Sequence, residues 1–498
     1  MVGMKVRRRP SKSGSNSEPV FCIGGQMLAL LVVVLSSLGL AEAETSKPNV
    51  IVIMTDDQGY GDLGCHGNEL VRTPHLDQLH GESVRFTDFH VSPFCSPTRA
   101  ALMTGRFSGL TGVRSTIHGR NHLGVSETTM AEYFKASGYA TGLFGKWHLG
   151  RNYPFRPMDR GFDEWVGHGD GGIGTASDFW GNDKMNDHYQ RNGKWEQFSG
   201  FSTDVFFEES MKFISRQKAK PFFVYLATNA PHWPWHVKKE WREAYGDSLK
   251  EHDQGRRRSL TDFYATITRI DDNIGRLRRF LEDEGLAENT LLLFLTDNGT
   301  AGSWGVYYAG MRGIKGSVYD GGHRVPCFLH WPARGFDAAK DIGELTAHID
   351  VLPTLVELCG LKKPSTAKHP MSGRSWAPLL KDGGATWPER ALFVHCQNAE
   401  HYVKWENAAV ITRRWRLVNR NELYDIKADP AQKTDVAGEH PEVVARLQRR
   451  YDRYWEEIKG GATPIPRAVV GSGKIATTWL ASDAWIPRTP KPLVWNQS

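Results

Sequence analysis

Four short stretches of the chain are unbroken apolar runs, and a polar cluster follows each one directly. Val50-Ile51-Val52-Ile53-Met54 leads into Asp56 and Asp57. Tyr139 to Phe144 leads into Lys146 and His148, and Phe222-Phe223-Val224-Tyr225-Leu226 leads into His232. Leu291-Leu292-Leu293-Phe294-Leu295 leads into Asp297 and Asn298. A strand with one wet face alternates apolar and polar residues. A run without alternation has both faces covered, as in a parallel sheet between helix layers. Ligands of open α/β sheets bind beyond the carboxyl ends of the strands. The four polar clusters are therefore expected to converge on one edge of one parallel-rich sheet.

Helical patterns fill the intervals. Thr73-Pro74 offers a cap and a first-turn proline ahead of Leu76 and Leu79. Met130 to Lys135 is followed by Gly138 as a stop. Leu260 to Leu281 is the clearest helix: Phe263, Ile267, Ile270, Ile274 and Leu277 step by four and three, and Gly285 ends it. The pattern changes after about residue 375. Leu392 to Val394, Val410 to Thr412, Trp415 to Val418 and Leu423 to Ile426 are short β-rich stretches. A helix starting at Pro441 follows, with Val444, Leu447, Tyr451, Trp455 and Ile458 on one face. The expected organisation is a leader over 1–43, a catalytic domain over 44–375, and a C-terminal α+β subdomain with an extended tail over 376–498. Gly161 to Gly200 and the tail from Gly460 match no recognisable pattern.

The leader reads as a secretory signal peptide. Arg7, Arg8 and Arg9 form a basic region, and Met27 to Leu40 is an apolar run shorter than the roughly 20 residues that span a bilayer. Ala41-Glu42-Ala43 then supplies a cleavage site. The expected location is secreted or periplasmic, with no stable membrane anchor. The leader holds five Lys or Arg and two acidic residues out of the chain's 62 and 56, leaving a formal +3 for the rest. So balanced a charge argues against a nucleic-acid partner. Of the six cysteines, Cys22 leaves with the leader. No CxxC pair occurs among Cys65, Cys95, Cys327, Cys359 and Cys396. An odd number in an oxidising compartment asks what sets one of them apart.

Asp56, Asp57, Asp297 and Asn298 offer three carboxylates and one amide oxygen at strand ends. Hard oxygen donors suit Ca2+ or Mg2+ rather than zinc. One Asp-Asp pair after a strand could equally cap a helix or shape a turn. Two such strand ends in one chain favour the metal.

Cys95-Ser96-Pro97-Thr98-Arg99-Ala100-Ala101-Leu102-Met103-Thr104-Gly105-Arg106 resembles the modification motif of the sulfatase family, Cys-x-Pro-x-Arg followed by Ala-x-Leu-x-Thr-Gly-Arg. Further blocks resemble that family in the same chain order. Thr55-Asp56-Asp57-Gln58-Gly59 is similar to its first metal motif and Thr296-Asp297-Asn298-Gly299 to its second. Gly145-Lys146-Trp147-His148-Leu149-Gly150 and Ala230-Pro231-His232-Trp233-Pro234 also match, as do Gly313 to Pro326 and Leu423-Tyr424-Asp425-Ile426 with Asp429-Pro430. The likeness runs from about Lys47 to about Leu447. Asp320 departs from it, standing where many members have Glu, and little effect is expected.

The resemblance implies a formylglycine-dependent, arylsulfatase-like enzyme of the alkaline phosphatase superfamily. Its fold would be a large mixed, mostly parallel sheet sandwiched by helices, with a smaller C-terminal antiparallel sheet plus helix. Cys95 would be oxidised to Cα-formylglycine (3-oxoalanine) by a maturation enzyme. One Ca2+, favoured over Mg2+, would be held by Asp56, Asp57, Asp297, Asn298 and the modified Cys95. Arg99 would steady the activated hydroxyl, and Lys146, Lys315 and His232 would face the sulfate. His232 or Lys315 would protonate the leaving alcohol, and His148 would serve as base for sulfate release. The odd cysteine is thereby accounted for. His66, His90, His168 and His236 read as structural or rim residues, and His323 carries no assigned role.

A phosphodiester or phosphonate hydrolase of the same superfamily is the first rival, and Lys146, His232 and Lys315 match sulfatases better. A non-catalytic sugar-binding relative should have lost Cys95, Arg99 or a metal carboxylate, and all are present. A purely structural secreted protein leaves the four strand-end clusters unexplained. Trp165, Trp180, Trp195, Trp233 and Trp235 lie near the expected site in sequence, and aromatic platforms suit sugar rings. A sulfated carbohydrate is therefore preferred to a small sulfated molecule such as an aryl sulfate. Sequons are sparse, at Asn298-Gly299-Thr300 and Asn496-Gln497-Ser498, which favours a bacterial exported enzyme.

Overall fold

The computed structural model describes residues 47–498 except 118–119, 176–177, 247–248, 250–253, 382–385, 398–401, 462–466, 471–477 and 482–498. The expected signal peptide and most of the stretch from Gly460 lie outside the described residues. Ten strands form the main sheet: β1 (Asn49–Thr55), β2 (Val84–Phe86), β3 (Ala140–Lys146), β4 (Glu164–His168), β5 (His188–Arg191), β6 (Lys194–Gln197), β7 (Phe222–Ala227), β8 (Thr290–Thr296), β9 (Cys327–His330) and β10 (Lys340–Ile342). Their order is β10-β2-β9-β8-β1-β7-β3-β4-β5-β6. The four apolar runs are the adjacent central strands β8, β1, β7 and β3, all parallel. The antiparallel partners β9, β5 and β6 make the sheet mixed.

Strand alternation divides each run between two cores. Val50, Val52 and Met54 of β1 join Phe223, Tyr225, Leu291 and Leu293 on one side. Ile51 and Ile53 join Phe222, Val224, Leu292 and Phe294 on the other. Helices α2 (Cys95–Thr104) and α3 (Met130–Ala136) cover the first face through Ala100, Leu102, Met130 and Phe134. Helices α1 (Pro74–Gly81), α4 (Ser202–Gln217) and α5 (Gln254–Asp283) cover the second through Leu76, Phe206, Ile270 and Ile274. Helix α5 starts six residues before the apolar stripe because its first turns are polar, a region where periodicity carries no signal.

The stretch 161–200 holds β4, β5 and β6, which sequence patterning did not reveal. Strand β6 is exposed at all four residues, as suits a short polar edge strand. At Gly167 in β4, a Cβ would stand 1.8 Å from the Gly145 carbonyl oxygen, so only glycine allows β3 and β4 to approach this closely.

Strands β11 (Leu392–His395), β12 (Ala408–Ile411), β13 (Trp415–Val418) and β14 (Glu422–Asp425) form a separate antiparallel sheet. Helix α6 (Pro441–Gly461) packs Leu447 and Tyr451 on one face of it. The other face meets Ala101 of α2 and Ile349. A buried ionic contact crosses this junction. Arg416 Nε donates to Asp320 Oδ1 at 2.8 Å, and Nη2 donates to Asp320 Oδ2 at 3.2 Å and Asp88 Oδ1 at 3.3 Å. Asp320, the departure from the family pattern, is thus a fully buried tether for the C-terminal sheet.

Replacing Arg416 by Met should leave Asp320 charged and unpartnered, costing about 3–5 kcal/mol. The expected result is a clear drop in melting temperature that is largely recovered in the Arg416→Met/Asp320→Asn double variant, read by calorimetry.

Candidate active site at the strand ends

Register sets the site. Thr55 pairs with Thr296, so Asp56-Asp57 and Asp297-Asn298 leave adjacent strands at one level. Met54 pairs with Ala227 and Ala227 with Gly145, which brings Asn229 and Lys146 to the same edge. The Asp57 backbone N–H donates to Asp297 Oδ1 at 3.1 Å, and Asn298 Nδ2 donates to Asp57 Oδ1 at 2.9 Å. Asp57 and His148 hold left-handed backbone, φ 68° and 56°, in loops that turn sharply at the strand ends.

Cys95 opens α2 and is buried. Its thiol lies with Asp56 and Asp297 oxygens in a cluster whose ligand atoms are all within 4.8 Å of one another. Burial pushes the thiol pKa up, while Lys146 and Lys315 pull against that. One turn on, Arg99 is fully buried; its Nε and Nη2 donate to Asp297 Oδ2 at 3.2 and 2.8 Å, and Nη1 donates to the Lys146 carbonyl at 3.1 Å. Burial, with Asp56 adding, raises Asp297 to about 7. Burial also raises Asp56, but Lys146, His232 and Arg99 outweigh it and hold this carboxyl well below the usual range.

Lys146, at the end of β3, is fully buried and donates to Asp56 Oδ2 at 2.7 Å. Lys315 Nζ reaches Asp57 Oδ1 at 2.5 Å. Burial opposes the Lys315 charge, yet Asp57 holds its pKa above the ordinary value. His232 Nε2 stands 3.7 Å from Asp57 Oδ2, and its Nδ1 donates to the Trp233 carbonyl at 2.5 Å. His148 Nε2 lies 2.9 Å from the Thr116 carbonyl. A carbonyl only accepts, so Nε2 carries the proton and Nδ1 the lone pair. Burial holds the His148 pKa well below its usual value, leaving the ring neutral at pH 7. The sequence-predicted set thus lies at one sheet edge, and Asp56, Asp57 and Asp297 join its members apart from His148, which is held by the Thr116 carbonyl.

Two further residues belong to this constellation. Asn229 Nδ2 donates to Asp56 Oδ2 at 2.7 Å, and its Oδ1 accepts from Ile173 N at 3.0 Å. Lys184 is buried in the 161–200 region and donates to the His232 carbonyl; burial lowers its pKa to about 7. Neither lies in a block that pattern reading singles out. The tryptophans separate by role. Trp165 is fully buried in the core, and Trp235 is half-buried against the edge of Phe263. Trp180, Trp195 and Trp233 are all exposed, at 96%, 44% and 61%, and Trp233 is the one beside His232 in the chain. His90 and His168 are buried, the latter paired in register with Lys146.

Among the described residues, Asp56 Oδ1 and Asn298 Oδ1 are buried without a hydrogen-bond partner. Two orphaned oxygens beside two more carboxylates fit a hard cation. Asp56, Asp57, Asp297 and Asn298 could hold Ca2+, and their three charges are balanced by Arg99, Lys146 and Lys315. Asn229→Ala should loosen Asp56 and weaken Ca2+ binding about 10- to 100-fold, as measured by isothermal titration; unchanged affinity would remove Asn229 from the site.

The sulfatase family profile matches residues 48–361, and the profile for the C-terminal region of N-sulphoglucosamine sulphohydrolase matches 313–457. N-acetylgalactosamine-6-sulfatase of Rattus norvegicus is 33% identical over 378 residues, covering 68% of this chain and 67% of its own length. Arylsulfatase A of Homo sapiens is 32% identical over 396 residues, 72% of either chain. The crystal structure of Ps i-CgsB in complex with k-i-k-neocarrahexaose superposes with a TM-score of 0.74 at 26% identity, covering 84% of this chain and 94% of that one. The phosphonate monoester hydrolase of Agrobacterium radiobacter, at TM-score 0.60 and 19% identity over 83% of this chain and 95% of that one, shares the fold alone. With its family profile spanning most of the residues, and relatives above 30% identity over two thirds of both lengths, the chain belongs to the sulfatase family and is an enzyme that hydrolyses sulfate esters.

Proposed function

We propose that this sulfatase removes a sulfate ester from a carbohydrate, using one Ca2+ and a Cα-formylglycine made from Cys95 by a maturation enzyme. The observation that carries the reading is the gathering of Cys95, Asp56 and Asp297 ligand atoms within 4.8 Å, beside Lys146 and Lys315. The ion and the hydrated aldehyde, when present, supply an oxygen nucleophile of lowered pKa. Asp56, Asp57, Asp297 and Asn298 are the residues that would hold the ion, and Arg99 locks Asp297 in place.

Lys146, Lys315 and His232 form the cationic wall against which the transferring sulfate oxygens are held. An acid at His232 needs a protonated ring. Burial lowers the His232 pKa below its usual value and Asp57 Oδ2 at 3.7 Å works against that, with Nε2 the atom placed to give a proton to the leaving alcohol. His148 Nδ1, with its lone pair and no hydrogen-bond partner among the described residues, is the atom suited to accept a proton when sulfate is released. Lys184 steadies the His232 loop from behind.

The carbohydrate preference rests on exposed Trp233 and on what the relatives' names carry. One acts on N-acetylgalactosamine 6-sulfate, and the structure of another was determined with a neocarrahexaose. Export to the periplasm or the extracellular space completes the reading. Among the described residues no helix is long and apolar enough to cross a membrane.

Cys95→Ala should lower kcat/KM by roughly 10³-fold or more, the scale of removing a nucleophile; a smaller loss contradicts the assignment. Released sulfate should be measured on a panel of 6-sulfated N-acetylgalactosamine oligosaccharides, N-sulfated glucosamine, carrageenan oligosaccharides and 4-nitrophenyl sulfate. Turnover of at least one sulfated sugar ahead of the aryl ester is expected. Activity confined to the aryl ester would overturn the carbohydrate reading.

A further inference from the structure

A second cluster of metal-binding side chains lies away from the strand-end carboxylates. Beyond β1 the chain makes a single 3-10 turn, Gly64–His66, which carries Cys65 and His66 side by side. His80 sits in the last turn of α1. One ligand atom from each of Cys65, His66 and His80 lies within 4.8 Å of the other two. All three side chains are partly exposed, so an ion and a water can reach them.

We propose that Cys65, His66 and His80 bind one zinc ion, with solvent as its fourth ligand. A thiolate with two imidazoles is a borderline-soft donor set that suits zinc and excludes Ca2+, which takes oxygens. Tetrahedral zinc separates such ligand atoms by about 3.3–3.6 Å, so from within 4.8 Å the three need to close by at most about 1.5 Å, within the reach of side-chain rotation. The ion replaces the Cys65 thiol proton, which leaves to solvent.

Three features hold the cluster ready. The His66 Nδ1 is 2.7 Å from the Tyr60 carbonyl; it must donate there, leaving the lone pair on Nε2. Metal-bound histidines have this arrangement, with the second nitrogen anchored to a backbone oxygen. The Tyr60 ring stacks on the His66 ring at 3.8 Å and 10° and fixes its plane. The turn is pinned to the start of α1: Gly64 N donates to Thr73 Oγ1 at 2.8 Å, and Cys65 N donates to Asp77 Oδ1 at 2.8 Å. His80 follows Asp77 by three residues, on the same side of the helix.

The other thiols have different settings. Cys327 and Cys359 are buried, and Cys396 donates to the Gly316 carbonyl at 2.8 Å. Zinc at Cys65 would staple the loop that leaves Asp56 and Asp57 to the helix that follows it. It is therefore a structural clamp, independent of the sulfatase reading.

The test uses the full chain in a Cys95→Ala background, so that the other site supplies no thiol. Metal-free protein is titrated with Co2+ and then Zn2+. One equivalent should give a thiolate-to-cobalt charge-transfer band that zinc abolishes. Cys65→Ser should remove the band, and His80→Ala should weaken zinc binding about 10- to 100-fold. Should Cys65→Ser not fold, His80→Ala, which alters a partly exposed helix position, decides alone. No stoichiometric binding, or binding unchanged by His80→Ala, would overturn the proposal.

Discussion

The pair between Arg99 and Asp297 is the interaction on which the site depends. Both side chains are fully buried, and the guanidinium meets one carboxylate oxygen through two nitrogens. Arg99 belongs to the helix that begins at Cys95; Asp297 directly follows a central strand. The pair therefore fixes Cys95, the proposed source of the nucleophile, against the sheet edge. It also answers a charge problem, because Asp56, Asp57 and Asp297 are buried within reach of one another and could not all stay ionised alone. Losing one member of such a pair strands a charge and costs about 3–5 kcal/mol. Arg99, Lys146 and Lys315 each take one carboxylate.

Much of this architecture was legible in the sequence because burial on both faces leaves a plain mark. The runs ending at Met54, Phe144, Leu226 and Leu295 had to be central strands. Polar residues directly after such runs had to emerge at one edge, and Asp56, Lys146, His232 and Asp297 do. The stripe on Leu260 to Leu281 was equally plain because helical spacing survives in it, and the four short C-terminal strands showed through their β-rich composition.

What stayed hidden depends on register or on partners distant in sequence. Asn229 matters because β7 ends one step from β1, which single-sequence reading does not supply. Lys184 enters from a stretch whose strands are short, polar and glycine-dependent, so they leave no periodic trace. Trp165 looked like a candidate sugar platform and is a core residue, because tryptophan serves both uses. Asp320 is inconsequential as a pattern mismatch, but its partner Arg416 lies 96 residues away and makes it a buried tether.

The most direct test of this account is the mass of the peptide spanning Cys95, taken from enzyme produced in its native host. Formylglycine predicts a loss of about 18 Da from the cysteine form, the change from a thiol-bearing carbon to an aldehyde. Active, folded, calcium-loaded enzyme whose peptide retains the full cysteine mass would contradict the nucleophile assigned here.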